Sequence, residues 1–309
     1  MFSYILKRLF ISFFTILVLV TVVFFLVRMM PGDPFLSDKL TSEIRENMLR
    51  YYGFDQPLYV QYIRYIGNLL RGDLGVSMHY NGIPVTSTIR DSFPYSASLG
   101  LRALSLAFCA GIILGVLSAL NRGRFLDYFC IFVAILGVSL PDFVTGYLLQ
   151  YVFSIKLKLL PIALWRGFKY TILPTFALSF YTTALLTRIM RASMLEVTGQ
   201  DYVKVAKAKG LSTFQVVVRH QLRNAILPVI TILGPVTAAI LTGTFIIESI
   251  YAIPGMGKFY VSGIQNLDYS QVLGLTVFYG TFLVMANFVV DILYGFVDPR
   301  IRVDRRDRQ

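Results

Sequence analysis

The chain has 309 residues, of which 56% are hydrophobic and 15% charged, with a mean hydropathy of +0.65 and a net charge of +12. Soluble domains carry about 25% charged residues, so two soluble domains are excluded in favour of one compact membrane bundle. The basic residues flank apolar runs, which assigns the positive charge to a membrane boundary and not to nucleic acid.

Lys7 and Arg8 precede an apolar run from Leu9 to Met30. It is longer than a signal-peptide core of about 7–15 residues, and no small-x-small cleavage pattern follows it. It reads as a retained first membrane span. Further spans are expected at Ser96–Leu120, Tyr128–Phe153, Thr171–Met190, Ile226–Tyr251 and Gln271–Val297. Each is long enough to cross a hydrocarbon core of about 30 Å. Helices satisfy their own backbone groups in lipid, and the runs lack the two-residue alternation of barrel strands. The expected fold is an all-α membrane protein with about six transmembrane helices, a single domain over 1–309.

Basic residues set the orientation. With both termini cytoplasmic, the inner segments hold sixteen, including Lys7, Arg8, Arg122, Arg124 and Arg191, and the five C-terminal arginines from Arg300 to Arg308. The two short outer loops hold five: Lys156, Lys158, Arg166, Lys169 and Lys258. The positive-inside rule therefore places both termini in the cytoplasm.

Two stretches exceed simple connectors. The outer one, 31–95, opens with Pro31-Gly32-Asp33-Pro34, which turns the chain. Ser42–Tyr51 reads as a short helix, with Thr41 or Ser42 as its cap and Glu43 and Glu46 in its first turns. Pro57–Leu70 reads as a tyrosine-rich amphipathic helix, followed by a turn at Gly72-Asp73-Leu74-Gly75. The segment either meets an external partner or closes the outer face.

The inner stretch, 191–225, reads as helix–glycine–helix. Asp201 is suited to cap a short helix, with Lys207 and Lys209 in its last turn and Gly210 as a left-handed stop. Ser212 or Thr213 then caps a second helix, Phe214–Asn224. Tyr202, Val205, Ala206 and Lys209 share one face of the first helix.

Four charged residues lie within or near spans: Arg102, Asp142, Glu248 and Asp291. Intramembrane charge is costly and points to function. Asp142 follows Pro141 near the middle of the third span and is a candidate for lining a pathway, as is Glu248. Glu248 and Asp291 stand nearer span ends, where solvation accounts for them. Cys109 and Cys130 sit in apolar runs without metal-type spacing and read as packing residues. His79 and His220, the only histidines, fall on opposite sides of the expected membrane, so they build no joint metal site or triad. No Gly-x-x-x-x-Gly-Lys-Ser/Thr occurs, so ATP is not expected to bind this chain.

The inner stretch, with Asp201-Tyr202, Ala206-Lys207-Ala208-Lys209-Gly210-Leu211-Ser212 and Arg219-His220-Gln221-Leu222-Arg223-Asn224-Ala225-Ile226-Leu227-Pro228, resembles the coupling loop of ABC-type importer permeases. The generic loop carries Glu-Ala-Ala, three residues, Gly, nine residues and Ile-x-Leu-Pro. Here Lys204-Val205-Ala206 replaces the first triplet, Gly210 keeps its place, and His220-Gln221-Leu222-Arg223 replaces the last four. These departures match the peptide/nickel branch. Pro31-Gly32-Asp33-Pro34, Gly72-Asp73-Leu74-Gly75-Val76-Ser77, Ile253-Pro254-Gly255-Met256-Gly257, Asp291-Ile292-Leu293-Tyr294-Gly295 and Asp298-Pro299-Arg300 resemble, as an ordered set over nearly the whole chain, the B-type subunit of oligopeptide and dipeptide importers, with the oligopeptide group the nearer.

That resemblance implies a type I importer bundle with a cytoplasmic coupling helix, in a bacterial cytoplasmic membrane. It implies a homologous second permease, two ATPases that bind ATP and magnesium, and an external binding protein that delivers peptide. It places Asp201, Tyr202, Val205, Ala206, Ala208, Lys209, Gly210 and Leu211 at the ATPase contact, with Gly210 and the small residues Ala206 and Ala208 as the docking surface. Dipeptide, glutathione or nickel transport by the same family is the nearest alternative. An ion-coupled secondary transporter would use the intramembrane acids, but no repeat relates the two halves. A channel would need a filter-like ring, for which no motif is present.

Overall fold

The computed structural model describes residues 2–32, 42–80, 82–242 and 244–297. The C-terminal arginines, Asp33, Pro34, Thr41 and the Asp298-Pro299-Arg300 motif lie outside the described residues. Helices follow in chain order: α1 Phe2–Arg28, α2 Ser42–Tyr51, α3 Leu58–Leu70, α4 Val85–Leu120, α5 Phe125–Ser139, α6 Asp142–Leu149 and α7 Phe168–Thr198. Then come α8 Asp201–Ala208, α9 Thr213–Gln215, α10 Leu222–Ala225, α11 Leu227–Thr242, α12 Thr244–Ile250, α13 Met256–Gln265 and α14 Tyr269–Val297. Single π-helical stretches follow α6, at Gln150–Lys156, and α9, at Val216–Gln221. Among the described residues no strand forms beyond the isolated bridge between Val76 and Pro84.

Four helical segments are long and apolar enough to span a membrane: Ile5–Arg28, Val85–Leu120, Phe168–Thr198 and Tyr269–Val289. Two bent pairs bring the number to six when each is taken as one span. The second span starts earlier than expected, at Val85, because α4 continues through Pro94.

The third expected span, Tyr128–Phe153, is corrected. It breaks at Leu140-Pro141, and its halves meet at a 110° bend. Proline disfavours the helical region for the residue before it. Leu140 accordingly sits at φ −91°, ψ 125°. Asp142 is therefore in the first turn of α6 and not in the middle of a continuous helix. The start of the fifth span is also bent, by 51° between Thr213–Ala225 and the helix from Leu227.

The described chain divides into two compact units, Met1–Pro94 with Gly255–Met285, and Tyr95–Pro254 with Ala286–Gln309. In the first, Val20 and Phe24 of α1 pack with Leu273 and Val277 of α14, flanked by Tyr62, Tyr65 and Ile66 of α3. Phe93 packs edge-on against Phe278 and Phe282. Asp268, fully buried, caps α14 by accepting from the Gln271 amide at 3.1 Å. The same carboxylate accepts from Ser77 Oγ and from the amides of Met78 and His79 at 3.1 and 3.2 Å. Sequence distance of about 190 residues is thus closed by one side chain.

The second unit is built around α7. Leu173, Ala177 and Leu178 pack with Leu99 and Ala103 of α4 and with Ile247 and Tyr251. Further along, Leu186, Met190 and Met194 pack with Ala107, Ala119, Val217 and Val229. Glycine brings backbones together here. A Cβ at Gly111 would lie 2.6 Å from Leu186 Cβ, and one at Gly115 would lie 2.9 Å from the Thr187 carbonyl oxygen. Close approach through small residues suits helix packing in lipid, where solvent gives no drive between helices.

Candidate functional site: the projecting helix and the intramembrane charges

Helix α8 stands between the long helix α7 and the bent entry to α11. Its N-cap is Gln200, without a side-chain cap bond. Asp201, expected to cap, is instead the first helical residue and pairs with Lys204 at 2.8 Å. It still complements the positive end of the helix dipole. Lys209, expected in the last turn, is the residue after the helix; Lys207 is the basic residue of its last turn.

The C-terminus closes as a Schellman motif. Gly210 takes φ +79°, its amide donates to the Lys207 carbonyl at 3.0 Å, and the Leu211 amide donates to the Ala206 carbonyl at 3.4 Å. Leu211 is half-buried and packs with the cluster of Val203, Ala206 and Val216, as the motif's hydrophobic contact requires.

Burial divides the expected contact residues. Val203 and Ala206 are buried, which corrects the expectation that Ala206 belongs to an outward docking surface. The reason is helical geometry: positions 203 and 206 are one turn apart and face the Val216 helix. Asp201, Tyr202, Val205, Ala208, Lys209 and Gly210 are exposed. Val205 is 52% exposed, and beyond the turn Phe214 is 76% exposed.

The neighbouring segment braces this tip. Ser212 and Gln215 form a reciprocal capping box, at 3.4 and 3.1 Å. The second helix thus begins at Thr213, one residue before the expected Phe214. Asn224 donates to the Tyr202 hydroxyl at 2.8 Å. Buried Gln221 donates to Thr198 Oγ1 at 3.1 Å, tying this segment to the end of α7.

A feature not singled out in the sequence lies in the same unit. Asp127, 2% exposed, accepts from Ser118 Oγ, from the Gly123 amide at 2.9 Å, and from both Nε and Nη2 of Arg191. The signal was an acid in the first turn of α5, just after a loop holding Arg122 and Arg124.

The charged residues of the expected spans separate in kind. Arg102 is exposed, donates to Thr171 Oγ1 at 2.7 Å and lies 5.8 Å from the Trp165 ring. Glu248 is 1% exposed, which corrects its reading as a solvated end-of-span acid. Helices α6 and α12, which carry Asp142 and Glu248, pack together: Tyr251 donates to the Gly146 carbonyl at 3.0 Å. Gln150 donates to the carbonyls of Ile162 and Ile250. The side chain of Asp291 lies outside the described part. Among the described residues no group of three or more His, Cys, Asp or Glu is placed to hold a metal.

Comparison with known proteins bears on this arrangement. Residues 111–303 match the family described as the binding-protein-dependent transport system inner membrane component, and residues 1–100 match the N-terminal part of such membrane components. The chain is 44% identical over 304 residues to the dipeptide transport system permease protein DppB of Bacillus subtilis, covering 98% of this chain and 99% of that one. It is 42% identical over 305 residues to the oligopeptide transport system permease protein OppB of Haemophilus influenzae, covering 98% and 100%. Among solved structures, the MetNI methionine ABC transporter in inward-facing form superposes with a TM-score of 0.55 at 14% identity, over 69% of this chain and 97% of that one. This likeness shows the fold alone, an importer-permease bundle. Near-complete coverage at such identity leaves one assignment: the chain belongs to the family of binding-protein-dependent transport system inner membrane components.

Proposed function

We propose that the chain is the B-type permease subunit of an ATP-driven peptide importer, with both termini cytoplasmic. It pairs with a second, homologous permease. Two separate ATPases bind ATP and magnesium, and an external binding protein delivers the peptide. The observation that carries the reading is the exposed tip of α8, with Tyr202, Val205, Ala208, Lys209 and Gly210, in a chain that matches peptide permeases along nearly its whole length. ATP shifts a two-state pathway only by binding its states differently. A rigid, capped helix is suited to carry that difference from the ATPases to α7 and α11.

Oligopeptides are the first substrate reading, from the motifs of the sequence. Dipeptides are the second, favoured by the 44% and 41% identities to dipeptide system permeases. The test is uptake into proteoliposomes holding this chain, the partner permease, the ATPases and the binding protein. Labelled dipeptide and pentapeptide are compared with and without ATP. ATP-dependent accumulation of either supports import and assigns peptide length. Accumulation driven by a proton or sodium gradient without ATP would overturn the reading.

A further inference from the structure

At the Arg28 end of the first span, within the first unit, lies a cavity of about 450 Å³. Its wall includes Arg28, Tyr52, Gln61, Arg64, Tyr65 and Asp73. The volume is that of a small-ligand site. Its polar lining is what draws attention. Arg28 Nη1, Gln61 Oε1 and the Tyr65 hydroxyl are all shut off from solvent and have no hydrogen-bond partner. Native structures rarely leave such groups unsatisfied. No ion pair engages Arg28 among the described residues. Its guanidinium is held by ring faces, 4.1 Å from the Phe54 centroid and 5.4 Å from that of Phe24. Stacking fixes the plane and leaves the donor edge for an anion.

Position narrows the anion. Ile5–Arg28 has 24 residues, about 36 Å of helix against a core of about 30 Å. Arg28 therefore stands at the headgroup level. Phe25 stacks on Tyr62, and Thr21 bonds the Tyr62 hydroxyl at 2.7 Å, so α3 is fastened along the end of α1. The outward residues beside them, Val22 and Leu26 on α1, Met29 just past its end, and Tyr59 and Ile63 on α3, are exposed and apolar or aromatic. Such a helix lies in the interface, with a surface suited to acyl chains.

We propose that this cavity binds the phosphate of a phospholipid headgroup. Arg28 and Tyr65 donate to the phosphate oxygens. Gln61 Oε1 accepts from a hydroxyl-bearing headgroup; its orientation is set by Nε2 donating to the Gln56 carbonyl at 2.7 Å. Arg64 adds charge at the exposed edge, and Asp73 is engaged with the Gly75 amide. The lipid would fix the tyrosine-rich segment on the outer surface of the permease. The inference is independent of the transported substrate.

The full chain is delipidated in detergent and titrated with dioleoyl phosphatidylglycerol, and bound lipid is counted by native mass spectrometry. One tightly retained lipid is expected. Arg28→Gln should weaken it by roughly tenfold or more, the usual scale for a hydrogen bond to a charged group. Tyr65→Phe, which keeps the ring, and Arg64→Gln should each weaken it several-fold and decide the matter should Arg28→Gln fail to fold. Equal retention by wild type and all variants overturns the proposal. Tight binding of inorganic phosphate alone, displacing the lipid at equal concentration, also overturns it and assigns the site to free phosphate.

Discussion

Arg191 grips Asp127 through two parallel hydrogen bonds, Nε to Oδ1 at 2.8 Å and Nη2 to Oδ2 at 2.9 Å, and so pins α7 to the start of α5. Ser118 and Gly123 complete the carboxylate's partners and add the end of α4 and the loop after it. The end of α4, the start of α5 and the later part of α7 meet at one buried side chain. Removing one partner of such a pair strands the other charge, at a cost of about 3–5 kcal/mol. Asp127→Ala and Arg191→Ala should each lower the melting temperature of the detergent-solubilised chain sharply. The double variant should be less destabilised than the sum of the two, since neither charge is then stranded. Strict additivity in thermal melts would show that the pair is not coupled.

The inward Ala206 and the outward Val205 make a paired test of α8. Ala206→Asp places a carboxylate against Val203 and Val216, which are 1% and 2% exposed. It should lower the chain's yield and stability, because a charge is buried without a partner. Val205→Asp changes an exposed position and should leave stability within about 0.5 kcal/mol. In the assembled transporter it should nevertheless reduce binding of the ATPases, measured by co-purification. Normal co-purification of Val205→Asp would remove this face from the contact.

How much of this was legible in sequence depends on what each feature needs. The apolar runs announced the spans because length and composition suffice for them. Ser42–Tyr51 appears at its expected bounds, and Ser212 caps the next helix as its side chain allows. Pro141 marks where the third span breaks, but not that the break reaches 110°, since the size of a bend depends on what each half packs against. Glu248 looked solvated because position along a span says nothing about which face is inward. Asp268 carried an N-cap signal before Tyr-Ser-Gln, but its bonds to Ser77, Met78 and His79 join segments far apart, a pairing that local pattern does not encode. The paired face of α8 failed for the same reason: the i, i+3, i+4 spacing groups residues into faces without saying which face meets Val216.

Gly111 and Gly115 are one turn apart on α4 and admit α7. Contacts of 2.6 Å to Leu186 Cβ and 2.5 Å to Met190 Cβ await any added methyl. Overpacking costs about 1–3 kcal/mol. Gly111→Ala and Gly115→Ala should each destabilise the chain by that amount in thermal melts. Gly123→Ala is the control. It has no atom within 4 Å, so only its positive φ of 74° opposes the change. A smaller effect at Gly111 and Gly115 than at Gly123 would mean that the helices slide apart freely.

Gly210 separates conformation from contact at the tip of α8. No atom lies within 4 Å of where its Cβ would be, so a side chain meets no steric obstacle within the chain itself. The obstacle is the backbone at φ +79°. An ordinary L residue there costs roughly 1–2 kcal/mol, while asparagine tolerates the left-handed region. Gly210→Val should open the Schellman turn, release Leu211 from Val203 and Ala206, and reduce ATP-driven uptake while membrane insertion stays intact. Gly210→Asn should keep the turn. If uptake survives in Gly210→Asn and falls in Gly210→Val, the turn geometry is what coupling needs. If both lose uptake equally while the chain stays folded, the space beside Gly210 is occupied by the partner, and glycine is required there for close approach.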